Sequence, residues 1–203
     1  QEMDMRRLFA AALMLAGAST AAFASQETDG FYDPTAGRFV THASLSMPVG
    51  FGGTNYTPIP RVEVDFESRE RPGTIVINTE QRRLFLVLGN GRALRYGIGV
   101  GRDGFSWGGV QSVTAKQEWP DWRPPAQMLQ RRPDLPRFMP GGESNPLGAR
   151  ALYLGSTLYR IHGSNEPHTI GQAVSSGCFR MTNDDVADLY ERVRVGARVV
   201  VLR

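Results

Sequence analysis

Three textures follow one another along the chain. Leu8 to Ala24 (LFAAALMLAGASTAAFA) is continuously apolar. Ser25 to Arg71 is rich in Gly, Pro, Ser and Thr and shows little periodicity, the pattern of an extended linker or tail. Over residues 72–203 short apolar runs of strand length alternate with turn residues. Thr74-Ile75-Val76-Ile77 is one β-branched run, and Leu84 to Leu88 (LFLVL) is a second. Gly89-Asn90-Gly91 follows, a strong hairpin signal because Asn and Gly tolerate the positive φ of a tight turn. It leads into a strand over Ala93 to Val100. Ala151 to Leu154 and Leu158 to Ile161, separated by Gly155-Ser156-Thr157, predict another hairpin, and Ala197 to Leu202 (ARVVVL) a closing strand. One helix is predicted, with Asn183 as N-cap, Asp184 and Asp185 in the first turn, and Val186, Leu189, Tyr190 and Val193 at helical spacing. Strands outnumber helices, so residues 72–203 form a mainly β domain with a few short helices, long enough for one core.

One stretch breaks this rhythm. Glu118 to Arg150 holds seven of the 13 prolines and two of the three tryptophans. A loop this long without a period is usually functional or disordered. It reads as a cap over a cleft or as a surface insertion held by its own Trp-Pro cluster, and the first reading is preferred.

Composition narrows the class. Of 203 residues, 41% are hydrophobic and 21% charged, which suits a globular protein rather than a membrane bundle or a disordered tail. The net charge is +3, but no basic stripe with stacking aromatics is present, so no nucleic-acid partner is expected. Arg6-Arg7, the apolar run and Ala22-Phe23-Ala24 describe a secretory signal peptide over residues 1–24, cleaved before Ser25. Export to the periplasm follows, with no stable membrane insertion after cleavage; an uncleaved anchor is the alternative. No Cys lies near the cleavage point, which excludes lipoprotein attachment. The lone Cys178 also excludes an intramolecular disulfide and a zinc site built on several thiolates.

An unpaired thiol in an exported protein is either a buried small hydrophobe or a working group. Its neighbourhood favours work. His162-Gly163-Ser164 follows a predicted strand, and Cys178 comes sixteen residues after His162, within Ser175-Ser176-Gly177-Cys178-Phe179-Arg180. Acyl transfer through sulfur needs an imidazole to take the thiol proton and return it to the leaving amine. It needs an orienting acceptor for the other ring nitrogen, and N–H donors for the oxyanion, which a Gly-containing turn can supply. Arg180 could bind a carboxylate or hold the turn. By spacing alone, Cys178 and His162 are candidates.

The longer string is more specific. HGSNEP, IGQAVSSGCFRM and TNDDVADLY resemble the catalytic signature of the L,D-transpeptidases, the YkuD family, and the similarity extends through PGTIVINTEQRRLFLV, YGIGVGRDGFSW and NPLGARALYL. The resemblance covers residues 71–203. It implies a β-sandwich or barrel-like domain with Cys178 as nucleophile, His162 as base and the Gly163 carbonyl orienting that His. Ser175, Ser176, Gly177 and Arg180 are implied on the substrate side. The implied donor is a peptidoglycan tetrapeptide stem, whose terminal D-alanine leaves as a thioester forms. The acceptor is open: a neighbouring stem, an envelope or outer-membrane protein, or water. No metal or organic cofactor is implied. One departure stands out, since the His that precedes Gly-Cys in the signature is Ser176 here.

Three rivals follow from the same residues. A wall-binding pseudoenzyme would keep the fold without the chemistry, a Cys-His peptidase would cut stems, and a metal site would join His162, His168 and Cys178. The retained His162 and Cys178 weigh against the first. The order of His before Cys weighs against other cell-wall Cys enzymes. His162 and His168, six residues apart, share no helical face, which weighs against the third.

Overall fold

The computed structural model describes residues 30–33, 38–41 and 58–203. The expected signal peptide lies outside them. β1 (Gly30–Asp33) and β2 (Arg38–Thr41) pair antiparallel as a separate two-stranded ribbon. β3 (Val62–Asp65) falls in the stretch expected to be linker, yet it pairs with the main sheet, because Val64 and Phe66 find an apolar surface on which Phe66 stacks on Phe85 at 4.6 Å. The folded unit therefore begins before residue 72.

β4 (Ile75–Asn78) and β5 (Arg83–Gly89) pair antiparallel, with Ile75 opposite Leu86 and Ile77 opposite Leu84. β6 (Arg92–Gly97) returns from β5 through Asn90 and Gly91, at φ 52 and 69 degrees. Two consecutive positive φ values are what a primed hairpin turn demands, and Asn-Gly supplies them with little strain. The predicted strand to Val100 is cut short. The chain leaves β6 at Gly97, and Val100–Gly101 forms a separate β7, which pairs with β11 (Ala173–Ser175).

β8 (Gly109–Glu118), β9 (Arg150–Leu154) and β10 (Arg160–His162) form an antiparallel series, and β12 (Phe179–Arg180) joins β10 in parallel. The β9–β10 hairpin is present, but Leu158 belongs to its loop. Between β8 and β9, α1 (Ala126–Arg131) is the one helix of the proline-rich segment, and Pro167–Thr169 forms a single 3-10 turn after β10. α2 (Asn183–Arg192) matches the predicted helix, but Thr182 is its N-cap, its hydroxyl accepting from the Asp185 amide at 3.2 Å. Lys116 closes the other end by donating to the Tyr190 and Val193 carbonyls, where a cation suits the negative end of the helix dipole. β13 (Arg198–Leu202) inserts between β8 and β4.

The main sheet runs β12-β10-β9-β8-β13-β4-β5-β6-β3. Seven strand steps separate β12 from β6, roughly 34 Å if the sheet were flat. Yet Phe179 of β12 and Tyr96 of β6 belong to one buried cluster. The sheet must wrap. The closure is visible at Gly99, just past β6, which exchanges two backbone hydrogen bonds of 2.9 Å with Arg180 of β12. The barrel-like expectation holds. Among the described residues no helix is long and apolar enough to cross a membrane.

Candidate active site

The wrapped sheet fixes which way the site residues face. In the β10–β12 register Ile161 pairs with Phe179, and His162 with Arg180. Ile161 and Phe179 point into the core. Alternation then sends Arg160, His162, Cys178 and Arg180 to the opposite face. Arg160 and Cys178 immediately precede the paired residues Ile161 and Phe179. Arg160, His162, Cys178 and Arg180 all line a cavity of about 540 Å³, within the range of small-molecule sites. Ser175 and Ser176 line it too, whereas Gly163 and Gly177 do not.

His162 is buried, and its Nδ1 lies 2.6 Å from the Gly163 carbonyl oxygen. A carbonyl only accepts, so Nδ1 carries the hydrogen and Nε2 keeps its lone pair. Burial, then the charge of Arg180, lower the His162 pKa to about 3, against the pull of the Gly163 bond. The ring is therefore a neutral acceptor at neutral pH. The Cys178 thiol donates weakly to the Leu158 carbonyl at 3.7 Å. Burial pushes its pKa up, while Arg160 and Arg180 pull it down.

The turn that carries Cys178 is held from three sides. The Ser175 hydroxyl accepts from the Gly177 amide at 3.1 Å and donates to the Cys178 carbonyl at 2.6 Å. Trp107 donates from its indole to the Gly177 carbonyl at 2.9 Å and stacks on Tyr159 at 4.5 Å. Gly177 sits at φ 106 degrees, and a Cβ there would lie 2.5 Å from the Tyr159 ring. Only Gly fits, on both counts. Ser175 thus builds the turn from within, and the Gly177 N–H is spent on it.

Arg180 finds its carboxylate inside the protein. Its Nη1 donates to Glu166 at 2.8 Å, and both side chains are buried. The Asn183 carboxamide oxygen, freed from capping, accepts from the Ala149 and Ser164 amides at 2.9 and 3.2 Å. It ties the segment after His162 to the end of the proline-rich insertion. That insertion has its own core of Trp122, Leu135 and Leu147, and all three also wall the cleft. The two readings of this segment coincide, since the Trp cluster stabilises the wall that caps the cavity.

Sequence reasoning missed Arg160, Glu166, Trp107, Tyr159 and Asn183. Glu166 stood within the quoted HGSNEP string and Trp107 within YGIGVGRDGFSW, but neither had a partner that local spacing could reveal. Among the described residues no group of three or more His, Cys, Asp and Glu side chains is arranged to hold a metal, and His168 is exposed.

Comparison with known proteins follows the same lines. Residues 72–201 match the YkuD family, described as the L,D-transpeptidase catalytic domain. The chain is 38% identical over 137 residues to the probable L,D-transpeptidase ErfK/SrfK of Escherichia coli K12, covering 63% of this chain and 43% of that protein. It is 39% identical over 134 residues to the probable L,D-transpeptidase YbiS of the same strain, covering 62% and 43%. The chain thus spans less than half the length of these relatives. The solution structure of the E. faecium L,D-transpeptidase catalytic domain superposes with a TM-score of 0.51 at 20% identity, over 66% of this chain and all of that one, a likeness of fold. Wrapped sheet, cleft and family match agree, and the chain belongs to the YkuD family of L,D-transpeptidase catalytic domains.

Proposed function

We propose that this protein is an exported L,D-transpeptidase that acylates Cys178 with a peptidoglycan tetrapeptide stem. The observation that carries the reading is the pairing of a buried neutral His162, its Nδ1 engaged by Gly163, with Cys178 on one face of one cleft. In the reaction, His162 Nε2 takes the thiol proton as sulfur attacks the carbonyl joining the diamino acid to the terminal D-alanine. The S–C bond forms, the C–N bond breaks, and the proton passes to the departing amine. An acceptor amine then attacks the thioester, loses its proton to His162, and the thiol is restored.

The cleft supports an anionic peptide as donor. Among the described residues five arginines line it, Arg102, Arg131, Arg132, Arg160 and Arg180, and no carboxylate does. Arg102 and Arg131 both lie over the Phe105 ring, at 4.7 and 5.3 Å from its centroid. Two guanidinium groups from separate segments on one ring suit the carboxylates of a stem peptide. In this reading residues 1–24 direct export to the periplasm, and the part of 25–71 that precedes β3 links to the catalytic domain, of which β3 is an outermost strand. The acceptor is the side-chain amine of a second stem or of an envelope protein.

Incubation of the protein with a carbapenem, followed by intact mass measurement, tests the acylation step. The expected result is one adduct on the wild type and none on Cys178→Ala. A folded wild type that forms no adduct would refute the reading. A muropeptide profile with and without the protein then separates cross-linking from protein attachment and from hydrolysis.

A further inference from the structure

The charged and titratable groups facing the Cys178 sulfur come from every wall of the cleft. β10 contributes Arg160 and His162, β12 contributes Arg180, and the loop before β10 contributes Tyr159. Arg102 reaches in from the loop after β7, and Arg131 and Arg132 from α1. Two of the cations have a carboxylate of the protein's own: Arg180 is bound to Glu166 and Arg132 to Asp134 at 2.7 Å, while Arg102 and Arg131 lie over Phe105.

Arg160 differs. Its guanidinium leans over the Tyr153 ring at 5.3 Å, and it has no carboxylate partner among the described residues. Its Nε is sealed from solvent with no hydrogen-bond acceptor. A buried donor left open is costly and calls for an explanation. Arg160 and Cys178 immediately precede the paired residues Ile161 and Phe179 and line the same cleft, and the loop before Arg160 presents the Leu158 carbonyl to the same sulfur.

We propose that Arg160 is a further catalytic residue, the counter-ion of the Cys178 thiolate in the cleft that both side chains line. This rests on Cys178 being the nucleophile, and it assigns the cation that a working thiolate needs. In many thiol enzymes the imidazolium formed by the base fills that part. Here His162 is buried beside Arg180, where a second positive charge is disfavoured. Arg160 therefore holds the negative sulfur while His162 passes the proton on to the leaving amine. The charges of both arginines already act to favour the thiolate against burial.

The rate of Cys178 alkylation by iodoacetamide, measured across pH, tests this without any peptidoglycan substrate. In that reaction sulfur displaces iodide and only the thiolate reacts. Arg160→Met and Arg160→Gln are expected to move the alkylation profile up by at least about one pH unit, a roughly tenfold loss of rate near neutrality. Arg160→Lys, which keeps the charge, is expected to stay close to the wild type. Thermal melts establish that each variant is folded. The glutamine variant keeps the test open if the methionine variant fails to fold, because it retains polarity and loses only the charge. A folded neutral variant that follows the wild-type profile would overturn the proposal, as would a lysine variant shifted as far as the neutral ones. A missing carbapenem adduct in a protein whose alkylation depends on Arg160 would instead refute the transpeptidase reading and leave this one standing.

Discussion

His162 shows how far one side chain can be moved from its solution behaviour. With its pKa lowered to about 3 by burial and the nearby Arg180, the ring stays neutral across the whole range in which a free histidine titrates. Between about pH 3 and 6.5 the unfolded chain binds a proton at this residue that the folded protein does not. Stability from this residue is therefore complete above about 6.5 and is lost as pH falls toward 3. Denaturant melts over that range should show a slope that flattens in His162→Gln; equal slopes would mean the ring is protonated in the folded state. Acylation should share this lack of an acid limb near 6.5 and rise into the alkaline range, because burial raises the Cys178 thiol. Cys178 and His162, which line one cleft, were legible as candidates in the sequence because they stand in two short strings. Glu166 was not, because its carboxylate meets Arg180 only after the chain turns back through the 3-10 segment at Pro167–Thr169.

At the scale of elements, α2 separates two residues that look alike on paper. Thr182 and Asn183 are both good N-caps, and only tertiary contacts decide between them. Thr182 caps, and Asn183 is left to accept from two backbone amides of other segments. Thr182→Ala should cost about 1 kcal/mol, the usual worth of a cap. Asn183→Ala should cost more, about 2–4 kcal/mol, since two amides lose their acceptor at once. Urea denaturation of the two variants ranks them; the reverse order would mean that the Asn183 contacts are dispensable. β8 was missed for a related reason. It lies inside the sheet, yet only Val113 of its ten residues is fully buried, so GVQSVTAKQE carries no apolar alternation. The β4–β5–β6 meander was legible because its inward residues and its Asn-Gly turn are both written locally.

For the molecule as a whole, the boundary of the folded unit is the main revision. The composition shift at residue 72 coincides with the family match, but β3 lies before it. Its loss would expose Phe85 and remove Arg61 from Asp185 and Asp188, to which it stands at 3.5 and 3.4 Å. A chain beginning at residue 72 should melt several degrees below one beginning at residue 58; equal melting temperatures would make β3 an ornament. Barrel closure was implied by the family resemblance but written in no local pattern, because its seam joins Gly99 to Arg180 across most of the domain. That seam has a consequence for how the domain can move. Arg180 is hydrogen-bonded through its backbone to Gly99 and sits in register with His162 of β10, and Cys178 is two residues away. Fraying of β12 would unzip the barrel along its length, so local opening at Cys178 belongs to the same cooperative unit as global unfolding. Breathing is left to the proline-rich wall, which carries a core of its own. The cleft wall and the strand next to Cys178 thus rest on two different cores, joined at Asn183.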